Sequence, residues 1–107
     1  MSDPIREILE KYKNLTVVGL SSKPSRPSNG VAAYMKAHGY RIIPVNPNEP
    51  SVFGEKAYGS LDDVPEAIEV VVIFRRPEFV AEIVEAALRR PAMVVWMQEG
   101  IMHEFQI

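Results

Sequence analysis

No cysteine occurs among the 107 residues. That excludes disulfides, thiolate metal ligands and cysteine nucleophiles, and it fits a cytoplasmic setting. Long apolar runs are also missing, so neither a secretory signal nor a membrane-spanning helix is expected. Charge of one sign is lacking too: 12 Lys and Arg against 14 Asp and Glu leave a net charge of −2. A chain so balanced has no overall attraction for nucleic acid or an anionic membrane, so any polyanion must be met by locally placed cations. Only two histidines are present. His38 falls on an apolar helical stripe and reads as packed. His103 has only Glu99 and Glu104 near it, too few ligands for a metal site. Two nucleotide signatures are incomplete or absent. After the apolar run that ends at Gly19, the second and third glycines of the dinucleotide fingerprint are replaced by the Ser21-Ser22 region. The acid expected at the end of the second strand is replaced by Asn46. No Gly-Lys-Ser/Thr occurs, which removes the P-loop.

What is present alternates in type along the chain. Ile5, Ile8, Leu9 and Tyr12 recur at helical spacing behind Asp3 and Pro4, predicting a helix over 3–13. Residues 16–20 form an unbroken apolar, β-branched run, the pattern of a strand covered on both faces. A helix is predicted over 28–38 with Val31, Tyr34, Met35 and His38 inward, stopped by Gly39. A second strand over 40–45 ends at Asn46-Pro47-Asn48. Turn residues dominate 49–66, with Ser60 placed to cap a short helical turn. A third strand covers 70–74 and a helix 77–90, its inner face formed by Phe79, Val80, Ile83, Val84, Ala87 and Leu88. A fourth strand covers 93–97, and 101–107 reads as the start of a further helix. Alternating strands and helices with short connections predict one domain over 1–107, a Rossmann-like, doubly wound parallel α/β sheet in three layers. The chain stops early for such a sheet, so its C-terminus reads as shortened. An open edge there would be a place for a second copy or a partner protein to pair.

In sheets of this kind ligands bind beyond the carboxyl ends of the strands. Four ends are therefore candidates: Gly19 with Ser21 and Ser22, Asn46 with Pro47 and Asn48, Phe74 with Arg75, and Met97 with Gln98 and Glu99. The first loop also carries Lys23 and Arg26, which either face a phosphate or sit on a solvated surface. Arg75 either contacts a phosphate or pairs with Glu78 or Glu99. Trp96 reads as core. No general base stands beside a nucleophile, since Ser21 and Ser22 lack a histidine partner and Asp62-Asp63 lie away from a strand end.

Five stretches, 17–28, 39–47, 54–65, 72–75 and 95–100, together resemble the small CoA-binding proteins that share the CoA-binding domain of succinyl-CoA synthetase α subunits. The match is collinear over nearly the whole chain. The resemblance implies a Rossmann-like domain that holds coenzyme A across its strand ends. It carries ligand contact over to Ser21, Ser22, Lys23 and nearby Arg26, to Asn46, Pro47 and Asn48, and to Met97, Gln98 and Glu99. In the synthetase turn a basic residue touches CoA; Glu49 falls near that position here. The phosphate charge must then be met by Lys23, Arg26 or Arg75. The histidine that is phosphorylated in the synthetase lies in a separate domain, so ligase activity does not carry over. Small members of this family continue for another helix and strand, with an Asp-Arg-Cys type motif that this sequence lacks.

The sequence thus points to a cytoplasmic module for CoA or an acyl-CoA, with no chemistry of its own and no nucleic-acid or membrane partner. A nucleotide-dependent Rossmann enzyme or a fragment of an acyl-CoA ligase is the competing reading, and a regulatory protein-interaction domain the third.

Overall fold

The computed structural model describes residues 4–97 and 100–104. In chain order these form α1 (Pro4–Lys11), β1 (Asn14–Val18), α2 (Pro27–Ala37), β2 (Arg41–Val45), a small hairpin of β3 (Ser51–Val52) and β4 (Glu55–Lys56), a 3-10 turn (Leu61–Asp63), β5 (Val70–Ile73), α3 (Pro77–Arg89), β6 (Val94–Met97) and β7 (Gly100–Glu104). The main sheet runs β2-β1-β5-β6-β7. Its first four strands are parallel, and β7 is antiparallel to β6.

The apolar strands are buried because both faces of the sheet are covered. Leu15, Val17, Ile42, Val70, Val72 and Val94 point to one face and pack with Ile8, Ala32 and Met35 from α1 and α2. Val18, Ile43, Val45, Val71, Ile73 and Val95 point to the other and meet Leu61, Val64, Val80 and Ala87 from the 3-10 segment and α3. This is the three-layer, doubly wound arrangement expected from the strand composition. The connection from β1 to β2 passes through α2 on one face, and that from β5 to β6 through α3 on the other. The winding therefore reverses between β1 and β5, and a crevice opens there at the strands' carboxyl ends.

Five local expectations are corrected. The helix expected to begin at Ile101 is instead strand β7 over the described part of that stretch; residues 105–107 lie outside the described residues. Pairing with β6 satisfies the backbone groups that edge would otherwise present. The buried face of α2 is Ser28, Asn29, Ala32 and Met35, not the Val31-Tyr34-His38 stripe. Val31 and Tyr34 are exposed, and His38 stacks on Tyr34 with ring centroids 4.2 Å apart rather than packing inward. On α3 only Val80 and Ala87 are fully buried; Leu88 faces solvent and Phe79 stands at the rim of a cleft. Ser60 does not cap a backbone N–H; its hydroxyl donates to the Asp63 carboxylate at 3.2 Å. Finally, the turn-rich 49–66 segment contains an ordered hairpin. Phe53 and Gly54 both have positive φ, 56° and 76°, the backbone that a tight two-residue hairpin turn requires.

One arginine fastens this segment to the rest. At the end of α3, the Arg90 guanidinium donates to the Leu61 carbonyl, to that of Val64 at 2.7 Å and to that of Glu66 at 3.0 Å. Arg90→Ala leaves three half-buried carbonyls short of a donor and is expected to cost about 1–2 kcal/mol. Lysine, a point charge without the guanidinium fork, should recover only part of it. Denaturant midpoints of the two variants check both statements.

Candidate functional site

The crevice at the reversal point is built around one residue without a side chain. β1 leaves the sheet at Gly19, whose φ is 87°. Its N–H donates to Val45 O at 2.7 Å, and Phe74 N–H donates to Val18 O at 2.8 Å, so the ends of β2, β1 and β5 are tied side by side. A Cβ on Gly19 would lie 2.4 Å from Phe74 O and 3.2 Å from Cδ of Arg75. Glycine is required here for its conformation and for the closeness of the β5 chain.

On one side of Gly19 lies a polar cleft of about 500 Å³, bounded by the first loop, the start of α2 and the turn after β2. Gly19, Ser21, Ser22, Lys23, Arg26, Asn46, Asn48 and Phe74 of the expected residues all line it. The loop is held by α2's buried polar residues. Ser28 Oγ accepts from Ser21 N–H at 3.1 Å, and Asn29 Nδ2 donates to Ser21 O at 3.0 Å. Ser21 Oγ in turn accepts from Lys23 N–H at 3.1 Å. Ser28 and Asn29 are buried because they shape the loop, which is why α2 turns a polar pair inward.

Asn46 is a clamp across the same cleft. Its Nδ2 donates to Leu20 O at 3.0 Å and its Oδ1 accepts from Asn48 N–H at 2.9 Å. Glu49 reaches farther. Its carboxylate accepts from Ser22 N–H at 2.6 Å and from Ser22 Oγ at 3.1 Å. Those two donors, the amide foremost, hold the Glu49 carboxyl below the usual range, and the positive charge of Lys23 adds to the effect. The amides of Ser21, Ser22 and Lys23 are thus all engaged within the chain. The charges of Lys23 and Arg26 are not: both side chains are exposed and belong to none of the ion pairs among the described residues.

Beyond Gly19 lies a second cleft of about 310 Å³ between the 59–62 segment and α3. Val18, Val45, Pro47, Leu61, Phe79 and Ile83 give it an apolar wall. Arg75 lines this second cleft and not the polar one. Its guanidinium lies 4.6 Å from the centre of the Phe79 ring, a cation–π contact. Glu78, one of the alternative partners for Arg75, lies instead 4.0 Å from Arg76; Glu99 and Gln98 lie outside the described residues. Asp62 and Arg89, on the rim, neutralise each other at 2.9 Å. Met97 lines neither cleft and packs half-buried against the core, while Trp96 packs on the opposite face.

Two cleft residues were not found from sequence. Phe79 fits the helical period of α3's inner face, and periodicity carries no signal for the contact with Arg75 that sets it at the cleft. Glu49 was noted only for lacking a positive charge. Its bond to Ser22, 27 residues earlier in the chain, has no local sequence signal. Among the described residues no group of three or more His, Asp or Glu could hold a metal ion, and no helix is long and apolar enough to cross a membrane.

A family model described as a CoA binding domain matches residues 13–106. The chain is similar to the protein YneT of Bacillus subtilis, 42% identical over 100 residues, which span 94% of this chain and 74% of that one. It is similar in structure to a hypothetical protein from Pyrococcus horikoshii, with a TM-score of 0.83 and 48% identity over 86% of this chain and 65% of that chain. The acetate–CoA ligase (ADP-forming) II of Archaeoglobus fulgidus is 28% identical over 95 residues, 86% of this chain but 14% of the ligase. The chain thus spans just under two thirds of its solved Pyrococcus neighbour and a small part of the ligase.

Proposed function

The chain belongs to the CoA-binding domain family, and on that premise we propose that it binds coenzyme A or an acyl-CoA at the carboxyl ends of β1, β2 and β5, in the cytoplasm, without catalysing a reaction. One observation carries this reading: two clefts of different chemistry adjoin at Gly19. Coenzyme A is itself two-part. Its nucleotide end carries phosphates, and its arm is long and only modestly polar. The polar cleft offers Lys23 and Arg26 to the phosphates, at about 1.5–3 kcal/mol for each well-formed charge-assisted bond. The apolar cleft offers Phe79, Leu61 and Ile83 to the arm, with Arg75 over Phe79 at its edge. Asn46, Pro47 and Asn48 form the wall joining the clefts.

Support for a role without catalysis comes from two of the three carboxylates that line the clefts, which already have partners; the third is Glu82 of α3. Glu49 is bonded to Ser22 and Asp62 to Arg89, while Ser21 Oγ accepts from Lys23 N–H and Ser22 Oγ donates to Glu49. A general base needs a free acceptor beside the reacting atom. Calorimetry with CoA, acetyl-CoA, NAD and ATP is the direct test. CoA and acetyl-CoA are expected to bind with similar affinity, since the acyl end adds no charge, and NAD more weakly. Binding of NAD with none of CoA at millimolar concentration would overturn the proposal, and turnover of acetyl-CoA would overturn its non-catalytic part.

A further inference from the structure

Glu49 takes up the donors of Ser22 without being needed to hold either wall of the polar cleft. Its carboxylate accepts from Ser22 N–H at 2.6 Å and from the Ser22 hydroxyl at 3.1 Å, and it belongs to no ion pair among the described residues. The first loop is fastened independently of it. Ser21 N–H donates to Ser28 Oγ, Asn29 Nδ2 to Ser21 O and Asn46 Nδ2 to Leu20 O. The turn that carries Glu49 is fastened as well: Asn48 N–H donates to Asn46 Oδ1, and Glu49 N–H to Asn46 O at 3.3 Å. Rotation of one side chain therefore breaks the contact and leaves both backbones in place.

An amide N–H and a hydroxyl that converge on one carboxylate, beside a lysine, suit a phosphate equally well. Ser22 is exposed at the edge of the cleft, so an anion arriving from solvent reaches the same two donors. The Ser22 bonds, helped by the charge of Lys23, hold the Glu49 carboxyl below its usual range and keep it ionised at neutral pH. We infer that Glu49 is an autoinhibitory side chain: in the free protein its carboxylate occupies the Ser22 donors, and a phosphate of the incoming ligand takes them by displacing it. Resting on the CoA reading above, this makes the affinity of wild type for CoA lower than the polar cleft can deliver. The cations and the loop donors are in place, and a removable contact stands against them.

The test titrates wild type, Glu49→Ala and Glu49→Asp with CoA by calorimetry. Glu49→Ala frees both donors and is expected to tighten CoA by about 5- to 20-fold, or about 1–2 kcal/mol. Glu49→Asp separates occupation from simple repulsion. It keeps the charge, but its side chain is one methylene too short to reach Ser22 from the same backbone. It should therefore bind CoA about 2- to 5-fold more tightly than wild type. Unchanged or weaker binding by Glu49→Ala would make Glu49 a strut of the site, and Glu49→Asp equal to wild type would reduce it to a repelling charge. Either result overturns this inference and leaves the CoA reading standing. No binding of CoA by wild type or by either variant overturns both. One readout needs no variant: in a crystal structure of wild type with CoA, the Glu49 carboxylate should have left Ser22, and a retained contact overturns the inference.

Discussion

Gly19→Ala is expected to lower the melting temperature by roughly 12–20 °C, the equivalent of about 3 kcal/mol in a domain of this size. Two costs add. An L-residue at a φ of 87° is strained by about 1–2 kcal/mol. The new methyl would also stand 2.4 Å from Phe74 O, and that oxygen is backbone in the connection leaving β5, so it cannot swing aside. Relief requires the ends of β1 and β5 to part, at about 1–3 kcal/mol for forced repacking. Gly30→Ala is the internal control. Gly30 lies within α2 with nothing within 4 Å of its would-be Cβ. There the same added methyl is expected to stabilise by about 0.5–1 kcal/mol, because alanine favours a helix interior. Thermal denaturation of the two variants therefore separates a glycine demanded by close approach from one that is merely tolerated. Equal shifts in the two would contradict the geometry at the reversal point.

Gly19 could be singled out from sequence because it ends a buried β-branched run, and the four parallel strands were legible for the same reason. A strand covered on both faces carries its own signature, residue by residue, in Val17-Val18 and Val70-Val71-Val72. Elements decided by tertiary partners were not legible. Ile101 and Met102 suit a helix or a strand equally, and the open edge of β6 decides between them. On α2, hydropathy favoured Val31, Tyr34 and His38, yet the helix turns Ser28 and Asn29 inward because the first loop needs their hydrogen bonds. Periodicity counts apolar atoms and has no term for a hydrogen-bonding task.

The site divides along the same line. The rule that ligands bind beyond strand carboxyl ends brought Ser21, Lys23, Asn46, Asn48 and Phe74 to one cleft. It could not tell which of those groups are already occupied. Ser22 and Glu49 are 27 residues apart, as are Asp62 and Arg89, and no local pattern announces such pairs. Nor could it separate Arg75 from the loop cations. Arg75 lies on Phe79, beyond Gly19 from the polar cleft, so its charge is directed differently from those of Lys23 and Arg26.

That difference sets the second large effect. Removing both loop cations, Lys23→Ala with Arg26→Ala, is expected to weaken CoA by about 30- to 150-fold, or about 2–3 kcal/mol. The figure is below the sum of two buried charge-assisted bonds because both side chains are exposed and must be ordered on binding. Affinity measured from low to high salt should fall steeply for wild type and much less for the double variant, since exposed charges act through a screened field. Arg75→Ala makes the contrasting case. It removes a cation whose guanidinium lies on an aromatic face at the edge of the apolar cleft, so it should weaken CoA while leaving most of the salt dependence intact. The melting temperature should hardly move in the double variant, because neither Lys23 nor Arg26 belongs to an ion pair among the described residues. Loss of affinity with unchanged stability and a flattened salt response would mark the two as ligand-facing charges. An unchanged affinity would make them ordinary surface residues and would move the phosphates of the ligand elsewhere along the strand ends.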